Sequence, residues 1–275
     1  MGNCCCLETT IISVAIKFPH GTNGINIEKN GFVPCDINNW ISDKYINNQF
    51  DSWIVYNDEN RIDHKTSKGH CKGIVAWNDT SISWLLHSVP NFPDMFNGKT
   101  ISKIDESELI YGQSFQYIQI PYTSEKLIDI IQQLLIMEAH IYLKHTKVVF
   151  PQKSGVMIRT IELTSTIKHI AKSHHYLIDL YSDHLYKEYP YQWKVETWIR
   201  GLKCKSNPHI KDIESITYQS TYYTESQDHS KWAVCDEYYF IGDLNRMTSQ
   251  VKRGGGGMIC KNKDICTAFQ SIIKK

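Results

Sequence analysis

Gly69-His70-Cys71-Lys72-Gly73 has an echo in Asp228-His229-Ser230-Lys231-Trp232, and the reading of the whole chain turns on this pair of stretches. Each sets an imidazole two residues before an ammonium. On an extended strand residues i and i+2 share a face, so ring and amine enter one pocket together. Two such pairs facing one another supply what hydrolysis of a phosphodiester requires: a nucleophile or base, an acid for the leaving oxygen, and two fixed positive charges on the phosphoryl oxygens.

His-x-Lys is a cheap pattern, and the chain holds four copies, at His70, His145, His209 and His229. Context separates them. His145-Thr146-Lys147 follows a long amphipathic segment, where basic residues complement a helix C-terminus. His209-Ile210-Lys211 follows Asn207-Pro208, a turn signal, and reads as solvated loop. The outer two instead run into apolar stretches, Gly73 to Trp77 and Trp232 to Cys235, that look like buried strands. A second apolar run follows each, ending in Leu86-His87-Ser88 and in Gly242-Asp243-Leu244-Asn245. His87 and Asn245 thus return to their His-Lys pairs at nearly equal intervals, as strand, turn, strand.

At 275 residues, 41% hydrophobic and 21% charged, the chain has the composition of a globular protein with a sizeable core. A net charge of +1 excludes a generally basic nucleic-acid binder, so any anion site is local. Protonation of the 12 histidines would make the chain strongly cationic, favouring a polyanion at acid pH. No stretch approaches the length of an apolar membrane span. Met1-Gly2-Asn3-Cys4-Cys5-Cys6 resembles an acylation site, with Gly2 for myristate and Cys4 and Cys5 for palmitate, although Cys6 stands where a hydroxyl residue is usual. The nine cysteines show no framework spacing; without a secretory signal, reduced thiols are the default. Cys71 is expected to point away from His70 and Lys72, into packing.

Along the chain, residues 8 to 18 read as a buried strand, 21 to 50 as Asn- and Gly-rich loop, and 52 to 56 as a strand. Helical spacing of Leu127, Ile130, Ile131, Leu134 and Leu135 predicts a helix from Ser124 to about Leu143. A second helix is expected from about Thr166 to Tyr186, with His169, His174, His175 and His184 on a polar face, and a last one from Asp264 to Ile273. Lys252, Arg253 and the run Gly254 to Gly257 suit either close approach to a phosphate chain or a flexible loop before the last helix. Strands alternating with helices predict an α/β layered fold of two similar halves, 8–145 and 146–275, after a tail of residues 1–7.

Five blocks carry a resemblance to a known family: Gly69 to Gly73, Trp84 to Pro93, Tyr111-Gly112-Gln113-Ser114, Asp228 to Trp232, and Gly242 to Arg246 followed by Arg253 and its glycines. In content and order they closely resemble deoxyribonuclease II. The resemblance implies a phospholipase D-like pseudodimer with mixed sheets and one active site between its halves. It also implies an endonuclease that cuts double-stranded DNA without a metal or other cofactor, leaves 3′-phosphate and 5′-hydroxyl ends, and works best at acid pH. Carried onto this chain, His70 with Lys72 and His229 with Lys231 form the half-sites, His87 is a further essential imidazole, and Asn245 contacts phosphate. Ser88, Gln113, Asp243, Arg246 and Arg253, within the same blocks, are expected to contact substrate. By analogy with the fold, a phosphohistidine intermediate is expected.

The chain departs from the family where cysteines are expected, carrying Tyr117, Ala233 and Phe240 instead. With the lack of a secretory signal, this predicts a cytoplasmic protein, tethered to membrane if Gly2 is acylated, as against the lysosomal or secreted placement of the family. Two other readings of the same residues remain: a membrane-tethered phospholipase D-type phosphodiesterase, and a catalytically silent DNA-binding protein.

Overall fold

The computed structural model describes residues 10–63 and 67–274; the proposed acylation residues Gly2, Cys4 and Cys5 lie outside them. The first half supplies β1 (Ile11–Lys17), β2 (Asn23–Glu28), β3 (Gly31–Asp36), β4 (Ser52–Asn57), β5 (Lys72–Trp77), β6 (Ser81–His87), β7 (Gln113–Pro121) and β8 (Ile141–His145), with helices α1 (Ile37–Ile46) and α2 (Ser124–Met137). From the second half come β9 (Ile158–Thr164), β10 (Ile167–Lys172), β11 (Trp193–Thr197), β12 (Ile210–Asp212), β13 (Ser215–Tyr218), β14 (Thr221–Thr224), β15 (Lys231–Val234), β16 (Tyr238–Gly242) and β17 (Gly255–Lys261), with α3 (Tyr186–Glu188) and α4 (Lys263–Ser271). The fold is α/β. One sheet has the order β3-β2-β1-β7-β6-β5-β4-β8 and the other β12-β11-β15-β16-β17-β10-β9. Neighbours in the first are antiparallel throughout, while β11 and β12 make the second mixed by pairing in parallel. The order β1-β7-β6-β5-β4 recurs as β10-β17-β16-β15-β11, so the repeat heard in the two His-x-Lys stretches extends to whole sheets.

The sheets share their core. α2 follows β7 yet packs on β9 and β10, and α4 follows β17 yet reaches β2 and β3 as well as β15 and β16. Thr123 caps α2 by accepting from the Lys126 N–H, and Leu127, Ile130, Ile131 and Leu134 form its buried stripe. Glu138 ends it in the left-handed region, at φ 58°. Gln133 on this stripe donates to the backbone carbonyls of His169 and Arg159, at 2.9 and 3.1 Å, tying the first half's helix to the second half's sheet. One apolar cluster runs from Val14, Trp84 and Ile130 to Trp232, Met258 and Phe269, and a smaller cluster backs each sheet. At about 1.5–3 kcal/mol per buried large apolar side chain, the shared cluster makes the two halves one cooperative unit. Ala233 and Phe240 lie opposite each other across β15 and β16 in 233↔240 register, both buried. Apolar packing thus occupies positions where the resemblance leads one to expect cysteines. The six cysteines within the described residues are unpaired, and Cys71 lies in the shared core.

Several expectations need correction. His209-Ile210-Lys211 is not solvated loop, since buried Ile210 opens β12, paired in parallel with β11. Residues 21–50 are not mostly loop: Ile25 and Ile27 alternate with polar residues to bury one face of β2, and Asp36 caps α1 through the Asn39 N–H at 2.9 Å. Asn and Gly masked a period-two pattern there. The helix expected over 166–186 is instead β10, a loop, a π-helical turn over Leu180–Leu185 and α3. Ile167, Ile170 and Ala171 have helical spacing, but pairing with β9 and β17 on both sides overrides it. His169 is therefore a buried strand residue stacked on Trp84 at 4.3 Å. The long helix ends at Met137 rather than near Leu143, and His145 is a β8 residue stacked on Trp53 at 4.7 Å, not a helix terminus.

Candidate active site at the junction of the halves

Each His-x-Lys stretch is anchored to the opposite half. The His70 N–H donates to the Gly254 carbonyl at 2.8 Å, and the His229 N–H donates to the Gly112 carbonyl at 2.9 Å. These approaches need bare backbone. A Cβ on Gly254 would lie 2.1 Å from the Met137 carbonyl oxygen, and one on Gly112 would lie 2.6 Å from Asp228 Oδ1. Two buried lysines pin the loops that bring these glycines in. Lys17, at the end of β1, donates to the carbonyls of Phe18, Gly21 and Leu109, each at 2.9 Å. Lys172, at the end of β10, donates to those of Ser173, Val251 and Arg253, at 3.3, 3.0 and 2.7 Å. Burial lowers both ammonium groups to about 8.

The strand ends repeat as well. After β6 the Ser88 N–H donates to the Ser114 carbonyl at 3.2 Å and Ser88 Oγ accepts from the Ser114 N–H at 3.0 Å. After β16 the Asp243 N–H donates to the Gly256 carbonyl at 3.0 Å and Asp243 Oδ2 accepts from the Gly256 N–H at 3.0 Å. Ser88 and Asp243 are structural counterparts.

His70, Lys72, His87, Ser88, Lys231 and Asp243 line one narrow cavity at this junction. His229 stands beside it: its ring feels the charges of Lys231, Glu59, Lys72 and His70. His70 Nδ1 lies 2.8 Å from the Asp243 carbonyl. A carbonyl only accepts, so Nδ1 carries the proton and Nε2 keeps a free lone pair. In His87 the order is reversed, because the Val89 N–H donates to Nδ1 at 3.3 Å. Neutral His87 therefore carries its proton on Nε2, which is buried without a partner among the described residues. Burial, reinforced by Lys72, lowers His70 to about 4 and His87 to about 3. Burial and Lys231 lower His229 to about 3. Burial raises the Asp243 carboxyl to about 7.

The two ammonium groups differ. Burial alone would lower Lys72, but Asp58 and Glu59, 2.7 and 2.8 Å from Nζ, outweigh it and hold Lys72 above its ordinary range. Lys231 donates to the carbonyl of His229, and burial with repulsion from Lys72 lowers it to about 8. Asp58 and Glu59, which the sequence reading passed over, follow directly on Asn57, the partner of Lys72 in β4/β5 register. With His70 they are the group of donors, among the described residues, close enough together to hold a metal. Their cation is the chain's own: Lys72 bridges both carboxylates, and Arg253 takes the second oxygen of Asp58 at 2.8 Å.

The remaining expected site residues are placed as follows. Gln113 is fully buried and accepts from Ser88 Oγ. Among the described residues, the Arg253 side chain hydrogen-bonds Asp58 and the Lys68 carbonyl. Asn245 lines a separate crevice with Tyr181, Met247 and Gln250. Arg246 is 2% exposed and spent on Asp179, Asp212, Ser182 and the Lys205 carbonyl, which makes it a strut of the second half. Two aromatic residues to which the sequence assigned no role, Tyr111 and Trp198, flank His229, with ring centroids at 4.0 and 4.2 Å.

Comparison with known proteins gives a consistent picture. The family model described as Deoxyribonuclease II matches residues 37–275. Deoxyribonuclease-2-beta of Mus musculus is 30% identical over 252 residues, 80% of this chain and 70% of that protein. Cell-death-related nuclease 7 of Caenorhabditis elegans is 29% identical over 253 residues, covering 80% of this chain and 67% of the relative. Deoxyribonuclease-2-alpha of Sus scrofa is 26% identical over 256 residues, covering 81% and 69%.

Proposed function

Because this chain belongs to the deoxyribonuclease II family, we propose that it is a DNA endonuclease whose paired His-x-Lys groups cleave the phosphodiester without a metal. The observation that carries this reading is the cavity into which both lysines and two imidazoles project, each His-x-Lys stretch bonded to the opposite half. His70 is the nucleophile, because its Nδ1–H bond to the Asp243 carbonyl leaves the Nε2 lone pair free. Nε2 forms a bond to phosphorus while the bond from phosphorus to the 5′-oxygen breaks. Protonated His229 gives its proton to that oxygen and releases the 5′-hydroxyl strand. Water, losing a proton to the now neutral His229, then breaks the phosphorus–nitrogen bond and leaves a 3′-phosphate. Lys72, Lys231 and the Nε2–H of His87 hold the phosphoryl oxygens as charge develops. His229 must enter this cycle protonated. Its depressed proton affinity therefore predicts a rate that rises as pH falls below neutrality, and a bound phosphate anion moves that rise toward neutral pH.

Plasmid digestion in excess chelator across pH 4 to 8 tests the proposal. The parent protein is expected to nick and linearise the plasmid, faster toward acid, leaving ends that accept label at the 5′-hydroxyl without prior dephosphorylation. Cleavage that stops with chelator, or ends bearing 5′-phosphate, would overturn it.

A further inference from the structure

The two imidazoles differ in how they are held, and the difference points to residues outside the His-x-Lys set. His70 has a polar anchor in the Asp243 carbonyl. The Nε2 of His229 is buried and has no hydrogen-bond partner among the described residues. Rings surround it instead. Tyr111 stacks on it nearly in parallel, with centroids 4.0 Å apart and planes at 13°, and Trp198 covers it at 4.2 Å and 53°. Tyr111 and Trp198 also meet each other, at 6.4 Å, and the Arg200 guanidinium lies over the Trp198 ring at 4.7 Å.

The placement follows from topology. Tyr111 precedes Gly112, whose carbonyl receives the His229 N–H, and Trp198 follows Thr197, which pairs with Lys231 across β11 and β15. In the other half, the residue before the receiving glycine is Arg253, and the one after the β4 residue paired with Lys72 is Asp58. Matched backbone thus presents Asp58 and Arg253 to one half-site, and Trp198 and Tyr111 to the other.

We propose that Tyr111 and Trp198 are positioning residues that clamp the His229 ring by stacking, in place of a polar anchor, and keep water from it until substrate binds. This rests on the reading of His229 as the proton donor. Stacked rings fix the plane of the imidazole while leaving both nitrogens free to change protonation, which suits a group that must give and retake a proton in one turnover. A carbonyl anchor would commit one nitrogen, as it does in His70. The charged groups facing His229 are Lys231 and Lys72, which disfavour its cationic form, and Glu59, which favours it; His70, a titratable neighbour, disfavours it when protonated. Arg200 lies behind Trp198. None of these is removed when a ring of the clamp is replaced.

The test compares Tyr111→Leu and Trp198→Leu with Tyr111→Phe and Trp198→Phe, after melting curves confirm folding. It reads kcat and KM on a fluorescent oligonucleotide across pH, and the His229 imidazole titration by nitrogen NMR. In the Leu variants kcat is expected to fall about 10- to 100-fold with KM little changed. Water then reaches the ring, so its titration and the alkaline limb of the kcat profile move to higher pH. The Phe variants should stay near the parent. An unmoved imidazole titration in both Leu variants overturns the proposal, as does a loss confined to KM, or a Tyr111→Phe variant as impaired as Tyr111→Leu. The NMR titration reads the clamp even in a protein that cuts nothing, so failure of the nuclease reading is seen separately, as absent cleavage by the parent.

Discussion

The half-site around His70 and the half-site around His229 share a backbone plan and differ in what stands beside it. Each histidine donates its N–H to a glycine of the other half, and each lysine leads a central strand. Around His70 the neighbours are polar: Asp58 and Glu59 hold Lys72, Arg253 holds Asp58, and the Asp243 carbonyl fixes the imidazole tautomer. Around His229 they are aromatic, and among the described residues Lys231 Nζ hydrogen-bonds a backbone carbonyl and makes no ion pair. Repeated geometry supplies two equivalent imidazole–ammonium pairs. Unequal surroundings divide the labour between a nucleophile of fixed tautomer and a donor whose proton comes and goes.

The largest effects should come from the imidazoles themselves. His70→Ala and His229→Ala are each expected to lower plasmid cleavage by at least ~10³-fold. Equal residual activity of His70→Ala and the parent would dissolve the distinction between the halves. The lysines come next, and they should separate by stability. Lys72→Ala strips the buried Asp58 of its closest cation and is expected to destabilise by about 3–5 kcal/mol in urea melts. Lys231 feels Glu59, Asp228 and Asp243 at longer range, without an ion pair among the described residues, so Lys231→Ala should lose cleavage with a smaller shift of the melt. If both lysines cost the same stability, the asymmetry is not energetic.

Acid stability gives a smaller effect with a definite sign. Half-buried His70 and buried His87, His169 and His229 have folded values of about 4, 3, 3 and 3, against 6.5 when unfolded. Their contribution is therefore complete above pH 6.5 and is lost as pH falls toward 4, where the unfolded chain takes up protons that the folded one refuses. Asp243, raised to about 7, acts in the opposite direction, as do Glu108, Asp179, Glu196 and Asp228, whose carboxyls burial also raises, so the carboxyls offset part of the histidine slope. The histidines themselves should lower the melting temperature as pH falls from 7 to 5. His169→Gln, outside the active site, should flatten that slope. Smallest is Glu59→Gln, which frees part of the Lys72 charge and should lower KM for DNA by about 2- to 5-fold.

Much of this arrangement is legible in the chain. The two His-x-Lys stretches, their matching strand-turn-strand sequels and the capped helix at Ser124 are local patterns, and local patterns survive folding. What escaped notice depends on contacts across sheets. Asp58 and Glu59 look like any polar run until β4 is set in register beside β5, and Trp198 meets His229 only because β11 lies next to β15. Arg246 looked like a phosphate ligand from its place beside Asn245, but Asp179 and Asp212, distant in sequence, claim it. The helix expected at 166–186 failed for a related reason: strand partners on both sides of Ile167–Lys172 outweighed a spacing that suits a helix.

The division of labour is tested most directly by trapping the covalent intermediate. An oligonucleotide labelled at its 5′ end is mixed with the protein at mildly acid pH in chelator, quenched in alkaline detergent to preserve phosphoramidate, and digested for peptide mapping. Label on the peptide containing His70 is the predicted result. Label on the peptide containing His229, or cleavage with no labelled protein at any quench time, would contradict it.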